Sequence, residues 1–179
     1  MTGTIARGVG GVLAALMLAL PAGAQESTNR VAAETDWSVF IEEEPNKECW
    51  GVSAPKSWTA ERSGADVTED VRRGDILLFV TFRPGAGSAG EISYTGGYPF
   101  ADGSTVSMRV GSDSYELFTD GEWAWAGSPD DDARIVEALK KGVDAVLVAR
   151  SARGTTTTDT FSLLGFTAAM TEAEDRCGG

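Results

Sequence analysis

What most constrains the fold of this chain is a repeated rhythm of short, strand-sized apolar runs separated by turn residues. The runs cover residues 37–41, 49–53, 76–82, 91–94, 105–110, 115–118 and 123–126. Between them lie Pro84-Gly85, Gly96-Gly97, Asp102-Gly103, Gly111-Ser112-Asp113 and Asp120-Gly121. Each is a turn signal with a backbone cause, because glycine reaches positive φ freely and proline presets its own φ. Asp120-Gly121, between Leu117-Phe118 and Trp123, marks a tight hairpin. Two further runs, 143–149 and 156–164, read as buried strands. Strands at this spacing, without long helical stretches between them, predict a mainly β single domain, an antiparallel sandwich or barrel-like fold. No internal repeat is present.

Two peripheral α-helices are written into the last third. Ser128 is placed to cap the first, Pro129 suits its first position, and Asp130, Asp131 and Asp132 put negative charge at the positive end of the helix dipole. Ile135, Val136 and Leu139 make an apolar stripe, Lys140 and Lys141 fall at the negative end, and Gly142 terminates the helix. A second helix over residues 167–176 brings Phe166, Ala169, Met170, Ala173 and Cys177 to one face.

The N-terminus has the form of an export signal. Arg7 is followed by the apolar run of residues 12–20, then Pro21 and the small-x-small sequence Ala22-Gly23-Ala24. Residues 1–24 are expected to be cleaved, leaving Gln25 first, with no cysteine placed for a lipid anchor. The run falls short of the roughly 20 apolar residues a membrane span needs, and no later segment reaches that length. Residues 25–34 are polar and predict a flexible N-terminal arm, and residues 35–179 form the domain. Loss of Arg7 with the signal takes the formal charge from −12 to −13, a surface that repels nucleic acid and anionic lipid. The expected location is periplasmic or secreted.

Cys49 and Cys177 are the two cysteines of the chain. An oxidising compartment favours their union, Cys177 lies on the apolar helix face and Cys49 on a strand, so a structural disulfide is expected. They are not in a C-x-x-C arrangement, and without histidine no neighbouring imidazolium is available to activate a thiol. The chain has no histidine at all, which removes the common general base, the Ser-His-Asp triad and the commonest metal ligand.

Residues 85–90 spell G-x-G-x-x-G, but Pro84 precedes them and the strand-like Glu91-Ile92-Ser93-Tyr94 follows, where a dinucleotide site needs a helix. A hairpin loop is expected there. Carboxylates are the catalytic class left open, and the acidic groups are Glu42-Glu43-Glu44, Asp130 to Asp132, and Asp113, Glu116, Asp120 and Glu122. A pair of them could hydrolyse a glycoside, but none shows calcium-loop spacing. The first two clusters have structural explanations as a strand end and a helix start. No catalytic residue, cofactor or metal site is assigned. Trp123 and Trp125 share one strand face. Their period of two reads first as buried packing; exposed, they would form a stacking platform for a saccharide or peptide. Trp50 and Trp58 carry less functional signal.

Several stretches add a resemblance. They are residues 48–55 (ECWGVSAP), 73–78 (RGDILL), 97–100 (GYPF), and 153–169, in which Asp159-Thr160-Phe161-Ser162-Leu163-Leu164-Gly165-Phe166-Thr167-Ala168-Ala169 precedes Cys177. Together they resemble the invasion-associated locus B family of exported alphaproteobacterial proteins, across essentially the whole chain after the signal. The resemblance implies a signal peptide, a compact mostly-β domain and few cysteines, and brings no catalytic residues. The function expected is a non-enzymatic binding or accessory role at the cell envelope, with an envelope protein or extracellular ligand as partner. The alternatives are a carboxylate-dependent hydrolase and a saccharide-binding module on Trp123 and Trp125.

Overall fold

The computed structural model describes residues 29–177. The expected signal segment 1–24 and the first part of the arm lie outside the described residues. Twelve strands form one antiparallel sheet: β1 (Arg30–Glu34), β2 (Trp37–Glu42), β3 (Glu48–Ser53), β4 (Ser57–Arg62), β5 (Ala65–Asp66), β6 (Leu77–Arg83), β7 (Ser88–Thr95), β8 (Thr105–Val110), β9 (Asp113–Asp120), β10 (Trp123–Trp125), β11 (Asp144–Arg150) and β12 (Thr156–Ser162). Their spatial order is β1-β2-β3-β6-β7-β10-β9-β8-β11-β12-β4-β5. The mainly β class is thus as expected. The β8-β9-β10 meander returns to pair β10 with β7, a Greek-key arrangement.

The sheet curls until its inner face meets itself. Tyr94 of β7 packs edge-on against Phe161 of β12, with ring centroids 6.2 Å apart, although four strands separate β7 from β12 in the sheet order. A seam closes the far side: the Trp37 indole donates to the Ser162 carbonyl (3.0 Å), and the Asp36 N–H to the Leu164 carbonyl (3.2 Å). Gly165 sits at this seam with φ +87°, and a Cβ there would overlap the Glu34 carbonyl, so both conformation and space demand glycine.

Two helices complete the core. In α1 (Pro129–Lys141) the Ser128 hydroxyl accepts from the Asp131 N–H, as the cap signal predicts, and Ile135, Val136 and Leu139 are buried. The acidic first turn also ties helix to sheet, because Asp132 accepts the Ile92 N–H of β7 (2.8 Å). Gly142 ends α1 with a φ of −80°, so left-handed geometry is not its reason. A Cβ there would stand 2.5 Å from Val110 Cγ1 and 2.7 Å from Leu163 Cδ1, so the close approach of two side chains fixes the glycine.

The second helix, α2 (Phe166–Cys177), buries Phe166, Ala169, Met170, Ala173 and Cys177, the stripe read from the sequence, against β1, β2, β3 and β6. Phe166 stacks edge-on to Trp37 at 4.9 Å. Cys177 is joined to Cys49 of β3, with Cα atoms 5.8 Å apart, inside the normal range for a bridge.

Three stretches show how far the sequence expectations carry. Residues Arg30–Glu34 of the expected flexible arm instead form β1, registered on β2 from Glu34↔Trp37 outward. Their alternation of small and polar residues carries little hydrophobic signal, and pairing supplies the order. The charged segment 57–66, not read as strands, forms β4 and β5 at the sheet edge, where polar residues are tolerated. The residues spelling G-x-G-x-x-G are a 3-10 turn over Pro84–Ala86 running into β7, the hairpin loop expected.

Candidate binding sites

The parity of the strands decides which side chains face out. On β3, Cys49 and Gly51 point at the core, so Trp50 points away; on β6, Leu78 and Val80 point in, and Phe79 out. The helices occupy the inner side, leaving the outer face of β2, β3, β6, β7 and β10 uncovered. An aromatic row follows. Phe40 stacks on Trp50 (5.7 Å, 8° between planes), Phe79 lies 5.7 Å from Trp123, and Trp123 stacks on Trp125 (6.3 Å, 25°). Trp123 is 40% exposed and Trp125 partly exposed, which overturns the reading of this pair as buried packing. The physical reason is that β10 buries only Ala124 on its inner side, so period-two aromatics there face solvent.

Trp50, Phe79, Trp123 and Trp125 line a groove of about 410 Å³ with a polar end. Arg83 spans two carboxylates at that end, donating to Glu91 (2.8 Å) and Glu48 (2.9 Å). Burial opposes the Arg83 charge, but the hydrogen bonds and charges of Glu91 and Glu48 outweigh it and raise the guanidinium pKa. Thr81 and Ser93 add hydroxyls to the wall. The groove therefore combines flat apolar faces with a pre-oriented set of donors and acceptors. Trp50, given little weight in the sequence, is one of its walls.

A second group was missed by sequence reasoning. Inside the curled sheet Arg73 makes a two-pronged ion pair with Asp159 of β12, 2.6 Å on each arm. The Asp159 side chain is 0% exposed and that of Arg73 4%. Tyr94 donates its hydroxyl to Asp159, and Tyr98 shares a 2.5 Å hydrogen bond with Thr157. Arg73 also stacks on the rings of Trp58 (5.0 Å) and Tyr98 (5.1 Å). Burial, and then the charge of Asp159, pushes the Tyr94 hydroxyl far above the usual phenol range, so it stays a donor. Burial works against the Arg73 charge, and the Asp159 hydrogen bonds and charge reverse that effect. One signal was available: Asp159 is two residues from Phe161 on a strand, so both share an inward face, and a carboxylate there requires a cation.

Of the other expected acidic groups, Glu42 lies on the wall of the aromatic groove, while Asp131 and Glu116 serve local structure. Asp131 takes hydrogen bonds from Ser128 and Arg134, and Glu116 from Thr105. Among the described residues, no group of three or more His, Cys, Asp or Glu side chains is arranged to hold a metal ion. No described helix is long and apolar enough to cross a membrane.

Comparison with known proteins bears on the whole domain. A crystal structure of invasion associated protein B from Bartonella henselae superimposes with a TM-score of 0.56 over 83% of this chain and 98% of that chain, at 15% identity, a likeness of fold. No curated protein matches the chain. The family model described as "Invasion associated locus B (IalB) protein" matches residues 37–174, from the first core strand to the last turn of α2. The chain belongs to the invasion-associated locus B family.

Proposed function

We propose that this is an exported, non-enzymatic binding protein of the cell envelope, working in the periplasm or outside the cell, and that its ligand is gripped by the aromatic groove. The observation that carries this reading is the uncovered row Trp50, Phe79, Trp123 and Trp125 beside the fixed Glu48-Arg83-Glu91 triplet. A folded domain gains nothing in stability by leaving several large rings half-wet on one face, and such patches mark interaction sites. The N-terminal sequence supports export, and Glu48 and Glu91 are both engaged by Arg83 rather than poised as a reacting pair.

Within that role a short saccharide is the ligand class favoured by the stacked Trp123–Trp125 pair. The C–H face of a pyranose packs on such rings, and its hydroxyls match the alternating carboxylates and guanidinium at the groove end. The test has two arms. Cell fractionation and intact mass should find the protein outside the cytoplasm, beginning at Gln25. Titration of the purified protein with cellotriose and chitotriose, followed by tryptophan fluorescence and calorimetry, should show saturable binding that Trp123→Ala weakens at least tenfold. Retention in the cytoplasm with residues 1–24 intact would overturn the export reading. Binding of neither sugar, or binding indifferent to Trp123→Ala, would overturn the saccharide reading.

A further inference from the structure

A cleft of about 660 Å³, sharing no lining residue with the aromatic groove, opens between the 67–73 segment, the Gly97-Tyr98-Pro99 turn and the β11–β12 loop. Arg62, Arg72, Arg73 and Arg153 all line it, in a chain whose formal charge is −12. What holds each guanidinium decides what the cleft can do. Arg73 is neutralised by Asp159. Arg62 is clamped by a neutral acceptor: its Nε and Nη2 both donate to the Thr155 hydroxyl, at 2.9 and 2.7 Å. Arg72 donates Nη1 to the carbonyls of Glu69 and Val71, at 3.1 and 3.2 Å. Neutral oxygens orient a guanidinium without cancelling its charge. Among the described residues Arg62, Arg72 and Arg153 form no ion pair, as is also true of the scattered Arg30, Lys47, Arg109 and Arg150, whereas Lys56, Arg83, Arg134, Lys140, Lys141 and Arg176 each do; three of the unpaired cations thus share one cleft. The acids on the cleft wall are Asp70 and Glu122, and neither pairs with these arginines.

We infer that this cleft is a second binding site, for a small multiply charged anion carrying phosphate or carboxylate groups. Guanidinium forks match both groups bidentately, and Arg62 and Arg72 are held in place before any ligand arrives. The floor is rigid, because Tyr98 is fixed by Thr157 and by the Arg73 stack. Three cations without an ion-pair partner, set against the two acids of the wall, leave the concavity net positive within an acidic surface. The site is separate from the aromatic groove and does not depend on the reading of that groove.

The experiment is calorimetric titration of the purified, oxidised protein with pyrophosphate and with citrate, at low ionic strength, with sodium chloride matched as control. At least one anion is expected to bind saturably at one site per chain, and the pair separates a phosphate preference from a carboxylate one. Arg62→Gln and Arg153→Gln should each weaken it tenfold or more, and Arg109→Gln, a cation on the outer face of β8, less than threefold. Circular dichroism checks that each variant is folded. Absence of saturable binding by both anions, or an equal loss in Arg109→Gln, would show a general charge effect and overturn the proposal.

Discussion

Replacing Asp159 with asparagine keeps the shape of the side chain and removes its charge, so it isolates the worth of the buried ion pair. The Arg73 side chain, 4% exposed, would be left facing a neutral amide in the interior, and Tyr94 would lose its charged acceptor. Removing one partner of a buried pair costs about 3–5 kcal/mol, because the remaining charge is stranded without water. Against a total stability of about 5–15 kcal/mol this is a large share. At about 2–4 °C per kcal/mol for a domain of this size, the midpoint of thermal unfolding should fall by roughly 6–20 °C. The assay is thermal and urea unfolding of the oxidised protein followed by circular dichroism. The double variant Arg73→Met/Asp159→Leu removes both charges and should be less destabilised than Asp159→Asn, because no ion is then stranded. A drop below about 3 °C in Asp159→Asn, or a double variant no better than the single, refutes the account of a desolvated charge pair.

Two further perturbations address how the domain is closed. Opening the Cys49–Cys177 bridge, by Cys49→Ala/Cys177→Ala, frees a loop of 128 residues and should lower stability by about 4–5 kcal/mol on chain-entropy grounds; equal urea midpoints for the oxidised wild type and the variant would contradict a stapling role. Gly142→Ala forces a methyl against Val110 and Leu163 and should cost about 1–3 kcal/mol, partly recovered by Val110→Ala; a neutral Gly142→Ala would mean that the end of α1 shifts freely.

Period and punctuation made most of the scaffold legible. The strand runs alternate, Ser128-Pro129 and the following aspartates mark the start of α1, and the spacing of Phe166, Ala169, Met170, Ala173 and Cys177 sets the buried face of α2. These are local properties, each decided by a few adjacent residues and their own backbone preferences. The strands that escaped, β1, β4 and β5, have weak apolar alternation and take their order from a neighbouring strand. Trp123 and Trp125 show the same division. Their spacing places them on one face, but which face stays wet depends on Ala124, β7 and two distant helices.

What the sequence by itself determined is therefore the β class, the two helices and the absence of histidine chemistry, while the expected union of Cys49 with Cys177 within one chain is supplied by the fold. What only the tertiary structure decided is where the sheet meets itself. That curl brings Arg73 to Asp159 across 86 positions, while the pairing of β4 with β12 sets Arg62 on Thr155 across 93. Such contacts have no local signature, because they depend on the sum of strand twist and loop length along the whole sheet. Both candidate binding sites lie where that sum places them.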